Sequence, residues 1–93
     1  MVLHLGQEKT VAMKDVVGIF DLESTTVYRT TRDFLASAQK NGQVTDVCQD
    51  IPKTFVLCRE GGQQRVYISG FSSLYLQKKA EEFLKAEDVL KKV

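Results

Sequence analysis

The 93-residue chain has one proline, one histidine, two cysteines and no tryptophan, and each scarcity removes a class of explanation. Two thiols and one imidazole cannot complete a four-coordinate zinc site without carboxylates, and Cys48 and Cys58 lack the C-x-x-C spacing. Nor do two cysteines make the disulfide framework of a small secreted domain, so both thiols are expected to be free. No apolar run approaches the roughly 20 residues that cross a bilayer. Behind Met1 there is neither a basic segment nor an apolar one of secretory length, which predicts a cytoplasmic chain with no membrane partner.

Charge of one sign is missing too: 13 Lys and Arg stand against 12 Asp and Glu, a net +1. A nucleic-acid footprint must then come from how the charges are distributed, because the local field steers a phosphate backbone and the total does not. Catalytic groupings are equally scarce. Gly61-Gly62 precedes no helix and no Lys-Ser/Thr pair, so it is a turn and not a phosphate loop. Asp21 and Glu23 lie two residues apart without a nucleophile or base beside them. The chain reads as a non-enzymatic protein with no cofactor, no metal and no small-molecule substrate.

What is present is a chain with 43% hydrophobic and 27% charged residues, enough for one globular domain over 1–93 with no linker or repeat. Asp15 to Leu22 is the longest β-forming apolar run before any helix signal and reads as a central strand, with Gly18 marking a bulge or a close backbone approach. Ahead of it, Val2 to Leu5 and Thr10 to Met13 read as strands joined by a turn through Gly6 to Lys9. His4, between Leu3 and Leu5, falls on the face opposite both leucines.

Ser24-Thr25-Thr26 offers N-cap hydroxyls for a helix near 25–40, with Val27, Thr31, Phe34, Leu35 and Ala38 as its apolar stripe. Asn41-Gly42 stops it. Arg29 is placed to pair with Asp33, which leaves Arg32 as the freer charge. A short extended piece follows around Val44 to Cys48, and Pro52 ends the polar stretch.

Thr54 to Arg59, apolar on both faces, pairs with Gln64 to Ser69 through the Gly61-Gly62 hairpin. Cys58 inside it reads as a small inert hydrophobe. Ser72-Ser73 caps a last helix from Leu74 toward Lys92, with Leu76, Ala80, Phe83 and Leu90 on one face. Glu81 with Lys85, Glu87 with Lys91 and Asp88 with Lys92 neutralise its distal half, while Lys78 and Lys79 keep more of their charge. The fold expected is α+β in the order β-β-β-α-β-β-α: a small antiparallel or mixed sheet of about five strands with two helices.

Arg29, Arg32, Lys53, Arg65, Lys78 and Lys79 are the cations least neutralised by their sequence neighbours. Gathered by the fold they would contact DNA phosphates; left apart they are ordinary solvated charges, and composition alone leaves both readings open. A second reading is a protein-interaction module whose surface is the exposed apolar part of the sheet and the last helix, where Leu76, Phe83 and Leu90 dock a partner helix.

Three stretches carry a family resemblance: Val2-Leu3-His4-Leu5-Gly6, then Lys14 to Asp21, then Pro52-Lys53-Thr54 through Ser72-Ser73 to Leu76, Lys78, Lys79 and Ala80. In that order, over about residues 1–82, the chain resembles the RemA/RemB family of small bacterial regulators. The last helix, about 73–92, extends beyond the family-like core. The resemblance implies a cytoplasmic regulator of extracellular-matrix and biofilm genes, with DNA binding and ring-like homo-oligomers known from its RemA branch. RemA-like sequences carry a run of arginines before the strand at Phe55. Here that loop reads Asp50-Ile51-Pro52-Lys53, and only Lys53 keeps a positive charge. Removing phosphate partners in this way weakens affinity steeply at cellular salt.

Overall fold

Thr54, Phe55, Val56 and Cys58 are all buried although they point alternately to opposite faces. A strand covered on both faces belongs in the middle of a sheet. In the computed structural model, which describes the backbone of residues 1–91 and the side chains of residues 1–85, this strand is β5 (Thr54–Glu60). The four-stranded sheet runs β3 (Val16–Asp21), β5, β6 (Gln63–Ser69), β4 (Val44–Asp46). All its neighbours are antiparallel except β4, which lies parallel to β6. The run read from sequence as the central strand is therefore an edge strand. Its apolar composition misled: Val17 and Phe20 of β3 stay exposed, at 63% and 37%.

A separate hairpin is formed by β1 (Val2–Gly6) and β2 (Lys9–Ala12), antiparallel as expected. Leu3 and Leu5 point into the core and His4 points out. A single 3-10 turn, Met13–Asp15, joins the hairpin to β3. The architecture is thus α+β with six strands in two sheets. The hairpin stands apart from the main sheet, and β4 is the strand that the expected order did not contain.

The first helix begins earlier than its hydroxyls suggested. The Asp21 carboxylate accepts from the Ser24 amide at 2.8 Å and caps the short α1 (Leu22–Thr25). The chain then turns and restarts as α2 (Arg29–Lys40), whose N-cap residue, Tyr28, makes no side-chain capping bond. Val27 thereby falls outside the helix and is 69% exposed, while Phe34, Leu35 and Ala38 do face the sheet. Gly42, at φ +67°, ends α2 in the left-handed region that glycine enters without a Cβ clash.

The last helix, α3 (Ser73–Lys91), is capped by Ser72, whose hydroxyl accepts from the Tyr75 amide at 3.1 Å. The sheet separates two packing layers. On one face the β1–β2 hairpin and α3 enclose Leu3, Leu5, Val11, Val47, Val56, Cys58, Tyr67 and Leu76. On the other, α2 covers Phe55, Val66 and its own Ala38. Each fully buried leucine or valine contributes roughly 1.5–3 kcal/mol.

Buried hydroxyls tie the sheet to the elements on its hairpin face. Ser69 donates to the Leu5 carbonyl at 2.6 Å and Thr54 to the Phe71 carbonyl at 2.7 Å. Among the described residues no buried side-chain polar atom lacks a partner, so these groups carry no desolvation penalty.

Candidate nucleic-acid interface

Across the sheet, Asp21, Thr54 and Ser69 form one row, with Thr54 paired to both neighbours. The chain leaves or enters at that row three times. Leu22 opens α1 and its amide bonds to the Lys53 carbonyl at 2.9 Å, while the Lys53 amide bonds to the Ser69 carbonyl at 3.0 Å. Three residues after Ser69 comes Ser72, the cap of α3. One end of the sheet thus holds Lys53, α1 and the start of α3. The start of α2 follows α1 directly.

Four of the six candidate cations divide between the first two turns of two helices that begin at this end. Arg29 and Arg32 sit at the start of α2 on one face, and Lys78 and Lys79 sit in the second turn of α3 on the other. Lys53 lies between, one residue before Thr54 of that row. Arg65 does not join them: it pairs with Cys58 toward the hairpin end, and its guanidinium donates to the Gly42 carbonyl at 3.3 Å.

Their freedom differs. Arg29 pairs with Asp33 at 3.7 Å, as the spacing predicted. Arg32 is exposed, but it is not a loose charge: its guanidinium donates to the carbonyls of Thr26 and Val27 at 2.7 and 3.0 Å and so pins the turn between α1 and α2. Lys79 is half-buried, pairs with Glu82 at 3.7 Å and lies 5.7 Å from the centre of the Tyr75 ring. Lys53 and Lys78 are exposed, and no ion pair engages either among the described residues. Asp21 and Glu23 line the same shallow pocket as Lys53, about 260 Å³ with Ile51, Pro52 and Ser72. Their carboxylates lower the positive field there.

The stripe expected to receive a partner helix is largely taken up by the core. Leu76 is fully buried and Phe83 packs against the core of the hairpin face. Leu90 and the pairs Glu87–Lys91 and Asp88–Lys92 lie outside the described side chains. Lys79–Glu82, not Glu81–Lys85, is the ion pair that α3 makes among the described residues.

Sequence reasoning missed a pair of apolar grooves beside β3. One, about 270 Å³, is lined by Phe20, Thr30, Thr31, Phe34, Phe55 and Leu57. The other, about 440 Å³, runs between β3 and α3 past Val17, Ile19, Ala80 and Leu84. The signal for them was Val17 and Phe20, two large apolar residues of opposite facing in a strand that also carries Gly18.

The titratable groups with displaced pKa values are structural. Burial, with the charges of Glu60 and Asp15 behind it, pushes the Cys58 thiol up to about 11. Burial and then the 2.7 Å hydrogen bond to Glu60 push the Tyr67 phenol well above its usual range. A thiol held protonated is a poor nucleophile, and Cys58 behaves as the small hydrophobe its strand suggested. Among the described residues no three His, Cys, Asp or Glu side chains gather as a metal site. No helix there is long and apolar enough to cross a membrane. No family model matches the chain, and no curated protein matches it.

Proposed function

We propose that this protein is a non-enzymatic, oligomeric regulator of extracellular-matrix gene expression of the RemA/RemB type, acting in the cytoplasm and binding DNA phosphates at one end of its sheet. The observation that carries the reading is the convergence there of Lys53, the first turn of α2 and the beginning of α3. Lys53 and Lys78 are the contacts that no ion pair engages among the described residues, with Arg29, Arg32 and Lys79 flanking them. Arg65, at the other end of the sheet, is a peripheral contact at most.

The three stretches that carry the family resemblance also fall on β1, β3 and the unit β5–β6–α3, which together hold the larger core. A monomer offers few phosphate contacts, and Asp21 and Glu23 oppose them. Assembly would multiply a weak patch, since linked sites gain avidity without new contacts.

The test is fluorescence-anisotropy binding to a mixed-sequence duplex across a salt series, with light-scattering mass on the same sample. Lys53→Glu with Lys78→Glu should weaken binding and reduce the log–log salt slope by about 0.9 for each phosphate left without its lysine. An unchanged slope removes both lysines from the interface. A stable oligomer with no binding at low salt would favour the second reading, an interaction module, for which the apolar grooves beside β3 speak.

A further inference from the structure

Among the described residues the outer edge of β3 has no strand beside it: the sheet order ends there, with β5 as its one neighbour. In an antiparallel pair alternate residues turn their N–H and C=O groups away from the partner, so β3 presents a row of unpaired backbone groups outward. Edges of this kind are commonly blunted by lysine or proline, and β3, Val-Val-Gly-Ile-Phe-Asp, contains neither. Its bulge lies at the start, between Val16 and Gly18, and leaves Gly18 to Asp21 in regular register with β5.

On both sides of this edge the surface is concave and apolar. Toward α2, the Phe20 ring stacks on Phe55 at 4.9 Å and walls the smaller groove. Toward α3, the larger groove opens past Val17 and Leu84, which are 63% and 58% exposed. A strand laid along β3 would send alternate side chains into the two grooves, the geometry of strand addition. No lysine or arginine lines either groove.

Charge defines the occupant. From Met13 to Glu23 the segment holds Asp15, Asp21 and Glu23 against Lys14 alone, and Glu81 borders the larger groove. None of these four carboxylates is in an ion pair among the described residues. A second copy of β3 is a poor match, since two-fold antiparallel pairing centred on the strand sets Asp21 beside Asp15 of the other copy at both ends.

We propose that β3 is a docking edge for an extended segment of another protein, apolar on both faces through its middle and carrying a lysine or arginine near each end. The edge itself lies outside the DNA-facing end and this reading does not rest on that one, while Asp21 and Glu23 at the end of β3 share a pocket with Lys53.

The probes are three fluorescein-labelled synthetic peptides: Lys-Val-Val-Thr-Val-Val-Lys, the same peptide with glutamate at both ends, and the lysine-ended peptide with proline at its centre. Anisotropy should show saturable binding of the first, with the second and third at least about tenfold weaker. Leu84→Arg, at an exposed position, should weaken the first peptide by a similar factor while the thermal melt stays unchanged. Phe20→Thr gives the same readout for the other groove. Equal affinity for all three peptides, no saturation up to millimolar peptide, or indifference to both substitutions overturns the proposal. So does a dimer that Leu84→Arg splits while no peptide binds, which would give the edge to a second copy.

Discussion

The two faces of the central sheet are closed to different degrees. On the hairpin face, β1, β2 and α3 bury eight residues, among them three leucines with almost no exposure. On the α2 face three residues are buried, and Phe34, Leu35 and Leu57 are only partly covered. The reason lies in the covering elements. A hairpin and a 19-residue helix can seal a sheet of this width, whereas α2 has 12 residues and turns Thr31, Phe34, Leu35 and Ala38 inward, two of them small. Stability is concentrated on one face, and accessible apolar surface is left on the other.

The contrast is most directly broken by core truncation. Leu76→Ala should cost about 2–5 kcal/mol, because a fully buried leucine leaves a cavity that its neighbours only partly fill. Phe34→Ala, at a half-covered position, should cost less despite removing a larger side chain, about 1–2 kcal/mol. Denaturant unfolding of both variants checks the order. Equal losses would mean that α2 is held as firmly as α3.

The next effect depends on pH. Cys58 ionises near 9 when unfolded but only near 11 in the folded protein. Between those values the unfolded chain has already lost the proton and the native state keeps it, so unfolding is favoured and stability falls as pH rises from 9 towards 11. Two units correspond to roughly 2–3 kcal/mol. The buried Tyr67 phenol adds a decrease of the same sign that begins near pH 10, the ordinary phenol value, and so overlaps the upper half of that range. Both groups belong to the hairpin face. Cys58→Ala should flatten the slope of unfolding free energy between pH 9 and 11, and an unaltered slope would assign it elsewhere.

Glycines separate the two faces again, with smaller effects. Gly6 closes β1 at φ +132°, and a Cβ there would come within 2.8 Å of the Val47 carbonyl oxygen. Gly6→Ala combines strain with a backbone clash and should cost about 2–3 kcal/mol. Gly42, beyond α2 at φ +67°, has nothing within 4 Å of the same added atom, so Gly42→Ala should cost only about 1 kcal/mol from backbone strain. Thermal melts of the two variants give the comparison.

The sequence pattern announced the hairpin face more clearly than the α2 face. Leu3 and Leu5 alternate around His4, Thr54 to Arg59 is apolar on both sides, and Leu76 and Phe83 recur at helical spacing, so local period and packing agree. At α1 and α2 they do not. The hydroxyls of Ser24, Thr25 and Thr26 look like caps, yet Asp21 caps the first turn and Arg32 bonds back to Thr26 and Val27 to fix a break that no local pattern marks. Edge placement of β3 was also hidden, since strand order is set by pairing partners far along the chain. Of the candidate site, the exposure of Lys53 was legible from its place in the loop before β5, whereas Lys78 has Glu81 and Glu82 three and four residues on and pairs with neither. The pairing of Lys79 with Glu82, three residues on, was overlooked in favour of four-residue spacing, and the bond from Arg65 to Gly42 spans 23 residues.

The smallest effect bears on why α2 closes its face loosely. Both α1 and α3 have a side-chain cap, from Asp21 and Ser72, while α2 starts at Tyr28 with none. Tyr28 already has the extended backbone of a capping residue, φ −90° and ψ 131°, and its side chain is exposed. Tyr28→Asp would place a carboxylate where it can accept from the first-turn amides and lie next to Arg29. The gain should be about 0.5–1 kcal/mol, since little burial is lost and one orphan donor is satisfied. Amide hydrogen exchange along residues 29–40 should slow with it. If global stability rises but exchange there does not slow, the start of α2 is already fixed by Arg32, and its loose fit follows from its short inward side chains and not from a frayed end.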